Sequence, residues 1–76
     1  MIPQEVIRAK RDGRSLSGDD IGAFVRGLVS GAVTEGQAAA FAMAVYFEGM
    51  STDEAVALTT AMRDSGAVLE IGRAHV

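Results

Sequence analysis

The side chains able to do chemistry are few in this sequence, and they are scattered. His75, the sole histidine, stands beside the last residue with no Cys, Asp or Glu close by to orient its ring, so it reads as a histidine without a role. There is no cysteine, which excludes a thiolate nucleophile, a thiolate zinc site and a disulfide framework. The most site-like string is Arg63-Asp64-Ser65-Gly66, where a serine beside an arginine and a glycine turn would suit an anion. The same string fits a helix end, with a basic residue in the last turn and a glycine closing it, and that reading is favoured. Asp19-Asp20 resembles a metal pair, but adjacent carboxylates in a first turn answer the positive end of a helix dipole. Arg8, Lys10, Arg11 and Arg14 form a basic run that Asp12 interrupts and no aromatic accompanies, which is the pattern of a solvated helix end. No glycine-rich loop joins a strand to a helix, so no phosphate cradle is visible. No catalytic, cofactor-binding or metal-ligating residue is therefore assigned, and no cofactor is expected.

The elements that carry these residues are marked by regular punctuation. Helix-start residues stand at Ser17, Thr34 and Ser51, spaced 17 apart. Thr34 to Gln37 and Ser51 to Glu54 fit the S/T-x-x-E/Q capping box, in which two orphan amides are satisfied reciprocally, while Ser17 with Asp20 is a weaker version. Gly13, Gly31, Gly49 and Gly66 stand where a residue of positive φ closes a last turn, and Pro3 suits a first turn. The spacing predicts helices over 3–12, 18–30, 35–48 and 52–65. In the second, Ile21, Phe24, Val25, Leu28 and Val29 form one apolar stripe, read as core. The third is apolar nearly all round, so it is expected to be the central helix, covered on several sides. The fourth places Ala55, Leu58, Thr59 and Met62 on one face, with Asp53, Glu54, Arg63 and Asp64 near its ends and a mostly solvated outer surface. Strand patterns are absent, and the fold class is all-α: a compact bundle of about four short helices. The 17-residue spacing is shorter than the helical repeats of solenoids, and side chains do not recur in register.

Composition narrows the function classes. At 76 residues the chain is one small domain at most, with a core thin enough to need a partner or the rest of a larger protein. A net charge of −3 gives no field to attract nucleic acid or an acidic membrane. The longest apolar stretch, Ala38 to Phe47, is about half of the ~20 residues that span a bilayer, and the N-terminus carries no basic region followed by an apolar run. A cytoplasmic protein is expected. Met43 and Met62 sit at helical spacing and read as core, whereas Met50, in a turn, marks an interface if it is exposed.

Several strings together resemble one enzyme family. Ile2 to Gly13 (Ile-Pro-Gln-Glu-Val-Ile-Arg-Ala-Lys-Arg-Asp-Gly), Leu16 to Ile21, Thr34 to Phe47, Gly49 to Ser51 and Leu58 to Gly66 resemble, in order and spacing, the start of bacterial thymidine and pyrimidine-nucleoside phosphorylases, the glycosyltransferase family 3 N-terminal domain. The resemblance covers residues 1 to about 69. Anthranilate phosphoribosyltransferases share the helical layout, but Lys10-Arg11-Asp12-Gly13 and the Ala61 to Gly66 ending are similar to the nucleoside phosphorylases. The resemblance implies the N-terminal α lobe of a larger α plus α/β enzyme, a homodimer that cleaves thymidine with phosphate to thymine and 2-deoxyribose 1-phosphate. Phosphate and thymidine would be bound elsewhere: the family holds phosphate on a Lys-His-Ser-Thr-Gly-Gly-type segment and the base on Arg, Ser and Lys from a later stretch, and no position here matches either. By this reading the chain is a fragment, inactive alone, that supplies α-lobe and dimer contacts. The rival readings are a freestanding helical dimerisation or interaction module built on the third helix and its methionine-bearing edge, and the equivalent domain of an anthranilate phosphoribosyltransferase.

The domain division follows: 1–69 is the N-terminal helical domain, and 70–76 is expected to be a non-native tail. Ile71-Gly72-Arg73-Ala74-His75-Val76 departs from the family pattern and matches one reading frame of a widely used sequencing adapter.

Overall fold

Four helices form where hydroxyl side chains and glycines stop the chain from continuing as something else. A computed structural model of the protein describes residues 2–66, and its elements are α1 (Pro3–Arg11), α2 (Gly18–Ser30), α3 (Glu35–Glu48) and α4 (Thr52–Ser65), with no strand among the described residues. The all-α expectation holds. The tail read at 70–76, His75 included, lies outside the described residues.

The caps are as the sequence indicated. Thr34 Oγ1 accepts from the Gln37 amide at 3.1 Å while the Gln37 side chain accepts from the Thr34 amide at 3.0 Å. Ser51 and Glu54 repeat the arrangement at 3.1 and 2.9 Å, and Ser17 accepts from the Asp20 amide at 3.1 Å without a reciprocal bond from the aspartate. These pairs satisfy amides that the helix itself leaves open, each cap being worth about 1 kcal/mol. At the other ends Gly13, Gly31, Gly49 and Gly66 all have positive φ. After α1 the amides of Gly13 and Arg14 donate to the carbonyls of Lys10 and Ala9, which turns the chain back across the helix end.

α1 packs against α3, α2 packs against α4, and α1 and α2 touch. The buried cluster comprises Val6, Ile7 and Ala9 of α1, Ile21 and Phe24 of α2, Phe41 of α3, and Leu16 and Val33 from the connections. Phe24 and Phe41 stack with ring centroids 4.5 Å apart, a contact worth about 0.5–1.5 kcal/mol beyond the area it buries.

Three packing expectations need correction. α3 is not enclosed: Phe41 and Ala44 are buried, but Met43, Tyr46 and Phe47 are exposed, because α3 finds its main partner in α1 alone. Met43 is thus surface, not core. The α2 stripe is narrower than expected, since Val29 is exposed near the helix end while Ile21, Phe24 and Val25 are buried. On α4 the inward face is rotated by one residue: Ala55 and Thr59 are exposed, whereas Glu54 is buried and Ala57, Leu58, Ala61 and Met62 are half-buried.

Glycine has opposite roles within α2. A Cβ on Gly27 would lie 2.6 Å from Val33 Cγ2, where the chain folds back so that the Val33 amide reaches the Gly27 carbonyl at 2.9 Å. A Cβ on Gly22 meets only the Arg26 guanidinium at 3.3 Å, and that side chain is free to move. Gly27→Ala is expected to lower stability by about 1–3 kcal/mol through overpacking. Gly22→Ala should raise it by roughly 0.5–1 kcal/mol through helix propensity. Urea unfolding at neutral pH, followed by helical circular dichroism, reads both signs.

Candidate functional site

Two features stand out in the described residues: a buried polar junction at Glu54 and an exposed apolar face on α3. The first arises because Lys10 follows Val6 by four residues and so shares α1's inward face, while Glu54 precedes Ala57, Leu58 and Ala61 on α4's inward face. Their side chains are 5% and 3% exposed, and Lys10 Nζ lies 2.9 Å from Glu54 Oε1. Glu54 Oε1 also accepts from the Ser51 amide at 2.9 Å, and Oε2 accepts from the Leu16 amide at 2.6 Å. One carboxylate therefore joins the end of α1, the α1–α2 connection and the start of α4.

Burial pushes the Glu54 carboxyl up, but the amides of Ser51 and Leu16 and the Lys10 ammonium push it down further, and it is lowered from 4.5 to about 2. The charged form is thus the native form. Lys10, read in the sequence as part of a solvated basic run, is instead the buried partner. Arg8, Arg11 and Arg14 are exposed as expected.

The other candidates resolve into local structure. Ser65 Oγ donates to the Met62 carbonyl at 3.3 Å, Arg63 Nε contacts Asp64 Oδ1 at 3.3 Å on the surface, and Gly66 caps the helix in the left-handed region. Arg63 to Gly66 is a helix end. Asp19 and Asp20 occupy the first turn of α2, and among the described residues no group of three His, Cys, Asp or Glu is placed to hold a metal. No helix of the described residues is long and apolar enough to cross a membrane.

The α3 face is the larger surface feature. Met43, Tyr46 and Phe47 are 48%, 79% and 72% exposed, and the Tyr46 and Phe47 rings meet edge to face at 5.3 Å. A helix with apolar residues on two opposite faces, one of them uncovered, is built to be covered twice. Around the corner Met50, half-buried against the core, joins Ser51, Thr52, Ala55, Val56, Thr59 and Thr60 in lining a shallow groove of about 410 Å³. The methionine in the turn is therefore partly core and partly groove wall. A second depression of about 330 Å³ lies between α2 and α4, beside Gly22, Arg26, Ala61 and Asp64. Neither concavity gathers a cluster of acid, base and nucleophile.

Comparison with known proteins agrees with the helical fold. Residues 4–66 match the glycosyl transferase family helical bundle domain, and the chain belongs to that family. It is 70% identical over 70 residues to a thymidine phosphorylase of Mesorhizobium japonicum, covering 92% of this chain and 16% of that protein. Thymidine phosphorylases of Burkholderia cenocepacia and Sinorhizobium medicae are 68% and 64% identical over 69 and 72 residues. The chain thus spans about 16% of the length of these curated relatives.

The junction gives a stability prediction with a defined sign. Glu54 has a folded pKa below its ordinary value, so its contribution is present above about pH 4.5 and is lost as pH falls toward 2. The urea midpoint is expected to drop across that window, and Glu54→Gln should flatten the drop. At neutral pH Lys10→Met should cost up to about 3–5 kcal/mol by stranding a buried carboxylate, with part of the loss recovered in the Lys10→Met/Glu54→Gln double variant.

Proposed function

We propose that this chain is the helical lobe of a thymidine phosphorylase, an enzyme that attacks the glycosidic carbon of thymidine with phosphate and releases thymine and 2-deoxyribose 1-phosphate. The observation that carries this reading is the 70% identity to a thymidine phosphorylase over 92% of the chain. That level of identity extends through all four helices rather than one motif, which favours the nucleoside phosphorylases over other enzymes that use a similar helical bundle.

The lobe's part in the reaction is mechanical. Phosphorolysis needs an anion held in line with the breaking bond and donors aimed at the charge that develops on the base. The described residues supply neither, so phosphate and thymidine are assigned to the remainder of the parent enzyme, and the chain alone is inactive. What it supplies is one wall of the closing cleft and a contact between subunits. The uncovered Met43, Tyr46 and Phe47 face supports that contact and the homodimer it implies. No nucleic-acid or membrane partner belongs to this reading, which places the enzyme in the cytoplasm. The tail over 70–76 is proposed to be adapter-derived, so His75 has no part in it.

The test is complementation. A thymidine phosphorylase from a relative, truncated to remove the segment aligned with this chain, is expected to show no phosphorolysis alone and to regain thymine release when this chain is added. Phe47→Glu in the added chain should abolish the gain and leave the reconstituted protein monomeric by sedimentation. It should leave the chain's own stability within about 0.5 kcal/mol, because the site is exposed. Binding without any recovery of activity would count against the proposal, and so would activity carried by a monomer.

A further inference from the structure

α4 differs from the other helices in what holds it. Val6, Ile7 and Ala9 anchor α1, Ile21, Phe24 and Val25 anchor α2, and Phe41 and Ala44 anchor α3, all buried. Over Thr52–Ser65 the sole buried residue is Glu54, and the inward Ala57, Leu58, Ala61 and Met62 are half-buried. α4 packs along α2, and its Ala57 and Leu58 rest on the core cluster, but none of its apolar side chains is fully out of water, and the one side chain that is carries a charge. Two of the three donors to that charge, Lys10 Nζ and the Leu16 amide, belong to segments distant in the chain. The third, the Ser51 amide, belongs to α4's own cap and travels with it.

The connection ahead of α4 is suited to swing. Gly49 has φ 79° and ψ 179°, a conformation essentially restricted to glycine, and a Cβ there would meet nothing within 4 Å. Backbone freedom of this kind, at the end of an element, is where hinges absorb a change of direction. When α4 leaves, Lys10 and Glu54 regain water and the Leu16 amide loses its acceptor. The buried cluster of α1, α2 and α3, with Leu16 and Val33, keeps its mutual contacts, while α2 gives up its packing along α4 and stays joined through α1.

We propose that α4 is a strap that undocks from the α1–α3 core as one unit, with the contacts of the Glu54 carboxylate to Lys10 and Leu16 as its latch. Such sub-global opening is distinct from fraying, which starts at an end and advances residue by residue. The Leu16 amide separates the two. It is 38 positions from Glu54 in sequence, so fraying at the far end of α4 leaves it protected, whereas undocking exposes it.

The experiment is native-state amide hydrogen exchange of the whole chain by NMR across sub-denaturing urea. Amides of Leu58, Thr59 and Met62 are expected to merge with that of Leu16 on one isotherm, lower and less urea-dependent than the isotherm of Ile7, Phe24 and Phe41. Protection graded along α4 with Leu16 on the core isotherm would overturn the proposal, as would a single isotherm for all four helices. Glu54→Asp keeps the charge but shortens its reach. It should speed exchange at Leu16 and throughout α4 by about tenfold or more, the scale of a lost charge-assisted hydrogen bond, and speed the core amides by the same factor, because both openings start from the same weakened native state. Val6→Ala should speed the core amides alone while the α4 isotherm stays in place, because it weakens the native and the undocked states alike. If Glu54→Asp does not fold, the wild-type isotherms decide alone.

Discussion

A carboxylate held away from water sets conditions on everything around it. Removing Glu54 from solvent costs several kcal/mol unless its oxygens find donors, and the fold brings it three. Each donor constrains an element. Lys10 must lie on the inward side of α1, one turn beyond Val6. The left-handed turn at Gly13 must end α1 soon enough for the Leu16 amide to come back over the junction. Ser51 must stand three residues ahead of Glu54, so that the cap of α4 and the ion pair share an oxygen. The start of α4, the end of α1 and the path between α1 and α2 are mutually determined by one side chain.

Helix boundaries were largely legible in the sequence because they are local. Thr34 with Gln37, Ser51 with Glu54, and the four glycines act within a few residues of themselves, so type and spacing suffice to place α1 to α4. Burial was legible only where one stripe of apolar residues ran along one face, as from Ile21 to Val25. It failed on α3, where apolar residues occur all round and periodicity cannot say which side is filled. It also failed for Lys10 and Glu54, since a charged residue is ordinarily assigned to solvent. A signal was nonetheless present: Lys10 falls in step with Val6, and Glu54 with Ala57, Leu58 and Ala61. A charge on an inward face at one end of the bundle asks for its opposite on another. What the sequence could not supply was which two helices would face each other, because that depends on the packing of α1 on α3 and α2 on α4.

The candidate site divides in the same way. Reading Arg63 to Gly66 and Asp19-Asp20 as helix ends required only the grammar of caps, and the hydrogen bonds of Ser65 and Ser17 agree with that reading. Finding the surface that matters required three dimensions. Met43, Tyr46 and Phe47 look like core by composition, and they become a surface only because α3 spends its other face on α1.

An uncovered aromatic face and a helix, α4, whose one fully buried side chain is a charge are costs to a domain that stands alone, the first in solubility and the second in stability. Both are tolerable in a lobe that is completed by contact, where burial of Tyr46 and Phe47 adds the apolar area that so short a chain lacks. The same logic bears on the chain's 70% identity to a thymidine phosphorylase across all four helices. Its inward-facing residues are constrained by the core and the Glu54 junction. α3 carries apolar residues on opposite faces, and the core accounts for one of those faces alone, that of Phe41 and Ala44.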